Sequence, residues 1–219
     1  MPSRPLVLRV VVSFLVASAA FAQVGLFPDE VERVDVIAIE RDGRELFAFD
    51  SLTGGRASLR LDVAEEVLFE ASRGRVGVVL TDRRALGVTS GRDWAELRFQ
   101  LDEAPERTVL VEDRLALLMS DRRVLAFNSD AGWVEEALSP SEVATAVRVG
   151  AAVGVVTTNR RALGIAPRLR GFATEALQVR EELEAITAQD TLATIRTGRR
   201  LLVFSAPRGT WTVQKRPLR

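Results

Sequence analysis

The chain has 219 residues, of which 47 % are apolar and 27 % are charged, a composition typical of a globular protein. It contains no cysteine, histidine or tyrosine. Disulfide frameworks, thiol nucleophiles, thiolate or imidazole metal sites and Ser-His-Asp triads are therefore excluded. The 30 basic residues only balance the 30 acidic ones, so a nucleic-acid partner, which favours a basic surface, is not predicted.

The N-terminus has the pattern of a secretory signal peptide over residues 1–22. Arg4 and Arg9 precede the apolar run from Val10 to Ala19, and residues 20–22 give a small-x-small cleavage pattern. The run is shorter than the roughly 20 residues that a membrane-spanning helix needs. We therefore expect export through the general secretory route and a periplasmic or secreted protein. A short lead over residues 23–30 and one repeat domain over residues 31–219 would follow the signal.

The rest of the chain is an internal repeat. Five copies recur at steps of 38 or 39 residues, and VGVVLTDRRALGV from Val76 returns as VGVVTTNRRALGI from Val153. In the second copy, short apolar segments separated by turn residues predict strands over residues 66–71, 76–81, 85–90 and 94–99. A small residue recurs at one position of every copy and lets backbones or sheets approach closely. This column is Ala38, Gly77, Ala116, Gly154 and Ala193.

Four-stranded units repeated about every 40 residues are the signature of β-propeller blades. The sequence therefore predicts an all-β, five-bladed β-propeller with four antiparallel strands per blade and a repeat of about 39 residues. An N-terminal strand that completes the last blade is the alternative arrangement. The segment from Leu46 to Gly55, LFAFDSLTGG, is similar to the core of PQQ-like and WD-like propeller repeats. This resemblance implies a propeller with an interaction surface, and no cofactor is expected.

Repeated arginines are the first set of candidate site residues. They follow the second predicted strand of every copy, and guanidinium groups around one axis can hold a phosphate, sulfate or carboxylate. The alternative is that each arginine pairs with a nearby acid and closes its turn. The arginines are Arg44, Arg83, Arg122, Arg160 and Arg199. The acids expected on the same face are Glu30, Glu66, Glu106, Glu142 and Glu182.

Repeated aromatic residues are the second set. They are expected to pack between blades, because one large ring removes much apolar area from water; stacking on sugar rings is the alternative. The aromatic column is Trp94, Trp133, Phe172 and Trp211, with Gly55 at this position in the first copy.

Catalysis and metal binding find little support in the sequence. The acids occupy recurring columns, whereas a catalytic site needs one distinct acid and one distinct base; a carboxylate-based glycosidase is the remaining enzymatic alternative. No Asp-x-Asp-x-Asp-Gly calcium loop is present.

Two non-catalytic functions remain open. One is an exported scaffold that binds a protein partner in the cell envelope through one propeller face, with contacts at the divergent segments 130–132, 167–170 and 206–208. The other is a multivalent binder of glycans or anions.

Overall fold

A computed structural model describes residues 34–103, 105–179 and 181–216. The predicted signal peptide and lead lie outside these residues, as do residues 31–33 of the predicted repeat domain. The described residues form 19 β-strands and no helix, which confirms the all-β prediction. No helix in these ranges is long and apolar enough to cross a membrane.

The strands form five antiparallel sheets, each continuous in the sequence. The first sheet contains β1 (Ile37–Asp42), β2 (Glu45–Asp50) and β3 (Arg56–Arg60). The second contains β4 (Val67–Arg73), β5 (Val76–Thr81), β6 (Arg84–Thr89) and β7 (Ala95–Arg98). The third contains β8 (Pro105–Glu112), β9 (Leu115–Ser120), β10 (Arg123–Asn128) and β11 (Gly132–Ala137).

The remaining two sheets repeat the same arrangement. The fourth contains β12 (Ala144–Gly150), β13 (Val153–Thr158), β14 (Arg161–Ile165) and β15 (Ala173–Ala176). The fifth contains β16 (Leu183–Gln189), β17 (Leu192–Thr197), β18 (Arg200–Ser205) and β19 (Thr210–Lys215). The second to fifth sheets each have four antiparallel strands joined in chain order, which is the blade arrangement of a β-propeller, whereas the first sheet has three strands in the described residues. The strands predicted for the second copy lie within two residues of β4 to β7.

Consecutive sheets pack face to face, and the small residues of the repeat make this contact possible. A Cβ atom added to Gly87 of β6 would lie 2.4 Å from the ring of Phe127 in the third sheet. A Cβ atom added to Gly164 of β14 would lie 2.6 Å from the ring of Phe204 in the fifth sheet. Glycine is required here because a buried aromatic ring of the next sheet occupies the space of a side chain.

The core lies between the sheets, and the middle sheets are covered on both faces. Every residue of β5, β6, β9, β10 and β13 is buried. Strands with two covered faces are apolar throughout, which explains the nearly unbroken apolar sequence of these segments.

The end sheets are different, because each buries only one face. Burial alternates along β2 and β17, so that Phe49 is 42 % exposed and Leu192 is 50 % exposed on the outer faces. The predicted closure of the first sheet on the fifth is therefore not seen in the described residues. The sequence also differs at this position, since Val203 stands where the second and fourth sheets have Gly87 and Gly164 and has a larger side chain.

Candidate functional site

One edge of the stack is built from two kinds of connection. The first kind is the turn between the second and third strands of a sheet, such as the turn between β5 and β6. The second kind is the loop from the last strand of one sheet to the first strand of the next. Backbone hydrogen bonds link the two kinds of connection. The amide of Phe99 donates to the carbonyl of Arg83 at 3.0 Å, and the amide of Leu138 donates to the carbonyl of Arg122 at 2.8 Å.

Each of the four loops contains a tight four-residue turn closed by a glutamate. In the loop after β3, the Glu65 amide donates to the carbonyl of Asp62, and the Asp62 amide donates to the Glu65 carboxylate at 2.7 Å. The same pair of bonds closes the turns at residues 100–103, 139–142 and 178–181. The glutamate fixes the loop, so the second residue of every turn projects outward.

The projecting residue is apolar in all four turns. We call these four residues the tip residues and the edge that carries them the tip edge. Three of them are among the most exposed large apolar side chains of the described residues, at 74 %, 87 % and 86 % for Val63, Leu101 and Val179. The fourth, Pro140, is also exposed. Glycine, proline and small polar residues are usual at such positions, so the turn itself explains Pro140 but not Val63, Leu101 and Val179.

Two of these turns also hold strained backbone. Ala64 and Asp102, which follow the tips Val63 and Leu101, both have a φ of +60°, a region that residues with a side chain rarely adopt. Backbone strain of this kind persists only where the surroundings fix it, and it concentrates at functional sites.

A buried ion-pair network holds the loops in place. In the second sheet, Arg84 donates through Nε and Nη2 to the two carboxylate oxygens of Glu65, each at 2.8 Å. The Glu65 side chain is 0 % exposed, and the Thr81 hydroxyl donates to it at 2.7 Å. We call this arrangement the Glu–Arg network. Its equivalents are Glu103 with Arg123 and Ser120, Glu142 with Arg161 and Thr158, and Glu181 with Arg200 and Thr197.

The network shifts the pKa values of its members. Burial by itself raises the pKa of Glu65, but hydrogen bonds from Arg84, the Asp62 amide and Thr81 outweigh it and lower the pKa to about 2. The balance is the same for Glu181, whose pKa falls to about 2. The pKa values of Glu103 and Glu142 are also lowered, since hydrogen bonds from arginine outweigh burial. These carboxylates are therefore charged structural groups at neutral pH.

The acids of these networks coincide only in part with the acid column of the repeat. Of the acids expected on this face, Glu142 belongs to a network, and Glu65, Glu103 and Glu181 hold the other three positions. Glu66 and Glu182 are each one residue away, Glu106 lies in β8, and Glu30 lies outside the described residues. The arginine of each network is the second of an Arg-Arg pair, whereas the first has its own nearby acid in two cases, Asp82 at 3.7 Å from Arg83 and Asp121 at 3.9 Å from Arg122.

The candidate arginines lie exposed on the tip edge, and all of them except Arg44 are the first of an Arg-Arg pair. Arg83 donates to the carbonyl of Ala64 at 3.3 Å, and Arg122 donates to the carbonyl of Leu101 at 3.2 Å. Arg160 contacts the Ser141 hydroxyl, and Arg44 donates to the carbonyl of Leu61 at 2.5 Å. The backbone carbonyl of Arg199 accepts from the Arg216 amide at 2.8 Å. The structure thus brings the guanidinium groups of Arg44, Arg83, Arg122 and Arg160 beside the loops that carry the tips.

The aromatic column lies in the cores between sheets. The rings of Trp133 and Phe127 are 5.0 Å apart, and those of Trp211 and Phe204 are 5.2 Å apart. Trp94 packs against the first sheet, and Phe172 packs against the core shared by the third and fourth sheets.

The position equivalent to these rings in the first sheet is Arg56, not Gly55 as the 39-residue step predicted. Arg56 pairs with Phe49 as Trp133 pairs with Phe127. Its guanidinium lies 3.9 Å from the ring centre of Phe47. A cation therefore covers the rings of an uncovered sheet face.

The divergent segments 130–132, 167–170 and 206–208 lie on the opposite edge, in the connections between third and fourth strands. A cavity of about 390 Å³ lies on the tip edge beside the loop from the second sheet to the third, and its lining includes Arg83 and Arg98 together with Asp62, Asp82 and Asp102. Within the described ranges, no cluster of three or more acidic side chains is placed to hold a metal ion.

Comparison with known proteins gives a structural likeness only. No model of a protein family and no curated protein matches the sequence. The chain is similar to Prp20p from Saccharomyces cerevisiae at 7 % identity and a TM-score of 0.41, covering 78 % of this chain and 55 % of that one. Human WBSCR16 has 13 % identity, a TM-score of 0.40 and coverage of 78 % and 59 %. Hsv2p from Kluyveromyces lactis has 6 % identity, a TM-score of 0.38 and coverage of 82 % and 60 %. The chain spans little more than half of the length of each.

Proposed function

We propose that the protein is a non-enzymatic scaffold that binds a protein partner through the tip edge. The observation that carries this proposal is the repeated exposure of an apolar side chain at the tip of all four described loops. An apolar side chain in water costs free energy, in proportion to its area, that contact with a partner recovers. Four equivalent tips in a row, each held rigid by a buried Glu–Arg network, form a surface that loses little conformational entropy on binding.

The exposed arginines give this surface its polar component. Arg83, Arg122 and Arg160 lie next to the tips and carry planar donors that suit carboxylates and backbone carbonyls of a partner. An apolar centre with a polar surround is the usual composition of protein–protein interfaces, and arginine is enriched there. The partner therefore carries apolar side chains with carboxylates between them.

The cellular location is inferred from the sequence rather than from the fold. The N-terminal pattern supports a place in the cell envelope, periplasmic or secreted. Catalysis is not part of the proposal, because the acids of the tip edge that have strongly shifted pKa values are engaged in the Glu–Arg networks. The resemblance to PQQ-like and WD-like repeats stays a prediction.

Site-specific photocrosslinking in the native envelope tests the proposal. A photoreactive phenylalanine at Leu101 is expected to give discrete crosslinked products, and Val63→Asp with Val179→Asp is expected to weaken them. The matched control carries the same group at Arg208, which is exposed on the opposite edge. Equal products from Leu101 and Arg208, or products that persist in the double aspartate variant, would contradict binding through the tip edge.

The alternative of small-ligand binding has one observation in its favour, the cavity beside the loop from the second sheet to the third, where Arg83 and Arg98 lie among Asp62, Asp82 and Asp102. Thermal unfolding with a panel of glycans, phosphates and polyanions separates the two functions. A saturable rise of the melting temperature that Arg98→Ala removes would favour the small ligand over the protein partner.

A further inference from the structure

Among the residues that the structure describes, two sheet faces have no covering sheet. On the first sheet, the uncovered face holds Ala38, Glu40 and Phe49, all of them exposed. On the fifth sheet, the uncovered face holds Leu192, which is 50 % exposed, and Arg196, whose side chain is 55 % exposed. Both faces mix apolar and charged side chains.

The internal repeat shows how these two faces would fit each other. Each of the four contacts between consecutive sheets uses the same pair of positions, since Gly87 lies against Phe127 and Gly164 lies against Phe204. The next contact of the series would place Val203 of the fifth sheet against Phe49 of a first sheet. In the same way, Gly154 lies against Leu115 and Leu117. Ala38 would then lie against Leu192.

The two faces carry opposite charges at one pair of facing positions, Glu40 on the first sheet and Arg196 on the fifth, where Arg196 also lies 3.1 Å from Glu184. The first-sheet face additionally carries the guanidinium of Arg56 over the Phe47 ring. Glu40 stands where the inner sheets have Leu118 and Val156, and Arg196 stands where they have Leu80 and Met119. Across the inner contacts these positions meet, because Leu80 shares a core with Leu118, and Met119 shares one with Val156. A first sheet packed on a fifth sheet would therefore bring Glu40 towards Arg196. Opposite charges at facing positions favour this pairing and its register.

A series of backbone hydrogen bonds along the edge opposite the tip edge supports the same contact between a fifth sheet and a first sheet. The Val36 amide donates to the carbonyl of Gly74 at 2.7 Å, and the Arg75 amide donates to that of Asp113 at 2.7 Å. The Arg114 and Ala152 amides donate in the same way to Ala151 at 3.0 Å and Asp190 at 2.7 Å. The next bond of this series would run from the Thr191 amide to the carbonyl of Asp35.

We propose that the uncovered face of the fifth sheet binds the uncovered face of the first sheet of a second copy of this chain, head to tail. The described residues leave both faces exposed and do not themselves supply this contact. Val203 also takes more room than the glycine or alanine at the inner contacts. In a ring of five sheets the other four contacts fix the spacing of the last one, whereas a separate copy can settle slightly further away. A head-to-tail contact builds larger rings or filaments.

Crosslinking is a sharp test, because the full-length chain has no cysteine. Two tagged variants of different mass, Glu40→Cys and Arg196→Cys, are mixed and treated with a short bismaleimide. We expect a crosslinked product that contains both tags, at a yield well above that of either variant alone. Arg208→Cys mixed with Glu40→Cys is the matched control, since Arg208 is exposed on an edge.

Other occupants of the two faces give different results. If one chain closes on itself, the double variant Glu40→Cys with Arg196→Cys gives an internally crosslinked monomer and the mixture gives no mixed product. If the N-terminal segment or solvent covers the faces, neither product forms and light scattering gives a monomer at all concentrations. Each of these results would overturn the proposal.

The charge pair is tested by reversal in the absence of cysteine. We expect Glu40→Arg and Arg196→Glu each to lower the association constant about fivefold, since an exposed pair contributes up to about 1 kcal/mol. In an equimolar mixture of these two variants, both contacts between unlike copies join opposite charges, and the double variant contains the pair reversed. The double variant should regain the association that each single variant loses, measured by sedimentation at low salt. Equal association of all four proteins would exclude the facing of Glu40 and Arg196.

Discussion

Replacement of Arg123 and of its neighbour Arg122 by alanine should have very different effects on stability. The side chain of Arg123 is 9 % exposed and binds Glu103, whose side chain is 0 % exposed, at 2.5 Å. Arg122 is exposed, and its nearest carboxylate is the adjacent Asp121 at 3.9 Å. The two variants remove the same chemical group one residue apart, so each serves as the control for the other.

The expected magnitudes follow from the carboxylate that each change leaves behind. Arg123→Ala leaves Glu103 buried and charged without its partner, which costs about 3–5 kcal/mol. At about 2–4 °C per kcal/mol for a domain of this size, the melting temperature should fall by roughly 10 °C. Arg122→Ala removes an exposed pair and a hydrogen bond to a carbonyl, and should cost at most about 1 kcal/mol.

Thermal unfolding followed by circular dichroism, with urea unfolding for the free energies, measures both variants. A third protein separates the burial of charge from the loss of packing. In a chain that already carries Glu103→Gln, Arg123→Ala should cost less than in the unmodified chain, because no carboxylate remains buried without a partner. Equal losses for Arg122→Ala and Arg123→Ala would refute the assignment of the buried ion pair to the second arginine of each pair.

Three further changes test the packing, the acid sensitivity and the turn geometry. Gly164→Ala should cost about 1–3 kcal/mol in urea unfolding, because its Cβ atom would lie 2.6 Å from the buried Phe204 ring, whereas Gly171→Ala, with no atom within 4 Å, should be nearly neutral. Stability should be constant above about pH 4.5 and fall as the pH approaches 2, because the pKa values of Glu65 and Glu181 are about 2 in the folded chain, below their unfolded values. Glu65→Gln should reduce that slope in urea unfolding measured from pH 7 to pH 3, and an unchanged slope would contradict the lowered pKa. Ala64→Gly should raise the free energy of unfolding by up to about 1 kcal/mol, since Ala64 has a φ of +60°, and a loss would count against the strained turn.

The strands could be predicted from the sequence because the repeat shows every element five times. Gly87 and Gly164 occupy the same position of the second and fourth copies, which indicates that the position requires a small residue. The structure gives the reason, because the rings of Phe127 and Phe204 occupy the space of a side chain there. Buried strands are also apolar on both faces, which the sequence displays directly.

Details that depend on a one-residue register were beyond the sequence. Counting from copy to copy placed Gly55 in the aromatic column, but the pairing of β2 with β3 places Arg56 opposite Phe49. The acid of the Glu–Arg network was missed for the same reason, because Glu65 and Glu66 are both acidic and only the fold shows which one reaches Arg84. Counting a fixed number of residues from copy to copy gives the wrong position where the loop length varies by one residue.

The tip residues were missed although their pattern is visible in the sequence. Every loop has the order apolar-x-apolar-x-Glu, as in residues 61–65 and 99–103. The first apolar residue and the glutamate serve the fold, since Leu61 is buried and Glu65 binds Arg84. The second apolar residue contributes neither to the core nor to the Glu–Arg network, and only its exposure in the structure distinguishes it from the first.

The division of roles within each Arg-Arg pair explains how one repeat can supply both stability and a binding surface. The side chain of the second arginine lies in the interior, where it neutralises the charge of the glutamate that closes the loop. That closed loop fixes the direction of the tip residue, and the first arginine stays outside beside it. Because the buried network already fixes the loop, the tip and the first arginine can be replaced without loss of the fold. The outer surface is therefore free to match a partner, whereas the uncovered end faces, with Glu40 on one and Arg196 on the other, are suited to a second copy of the chain itself.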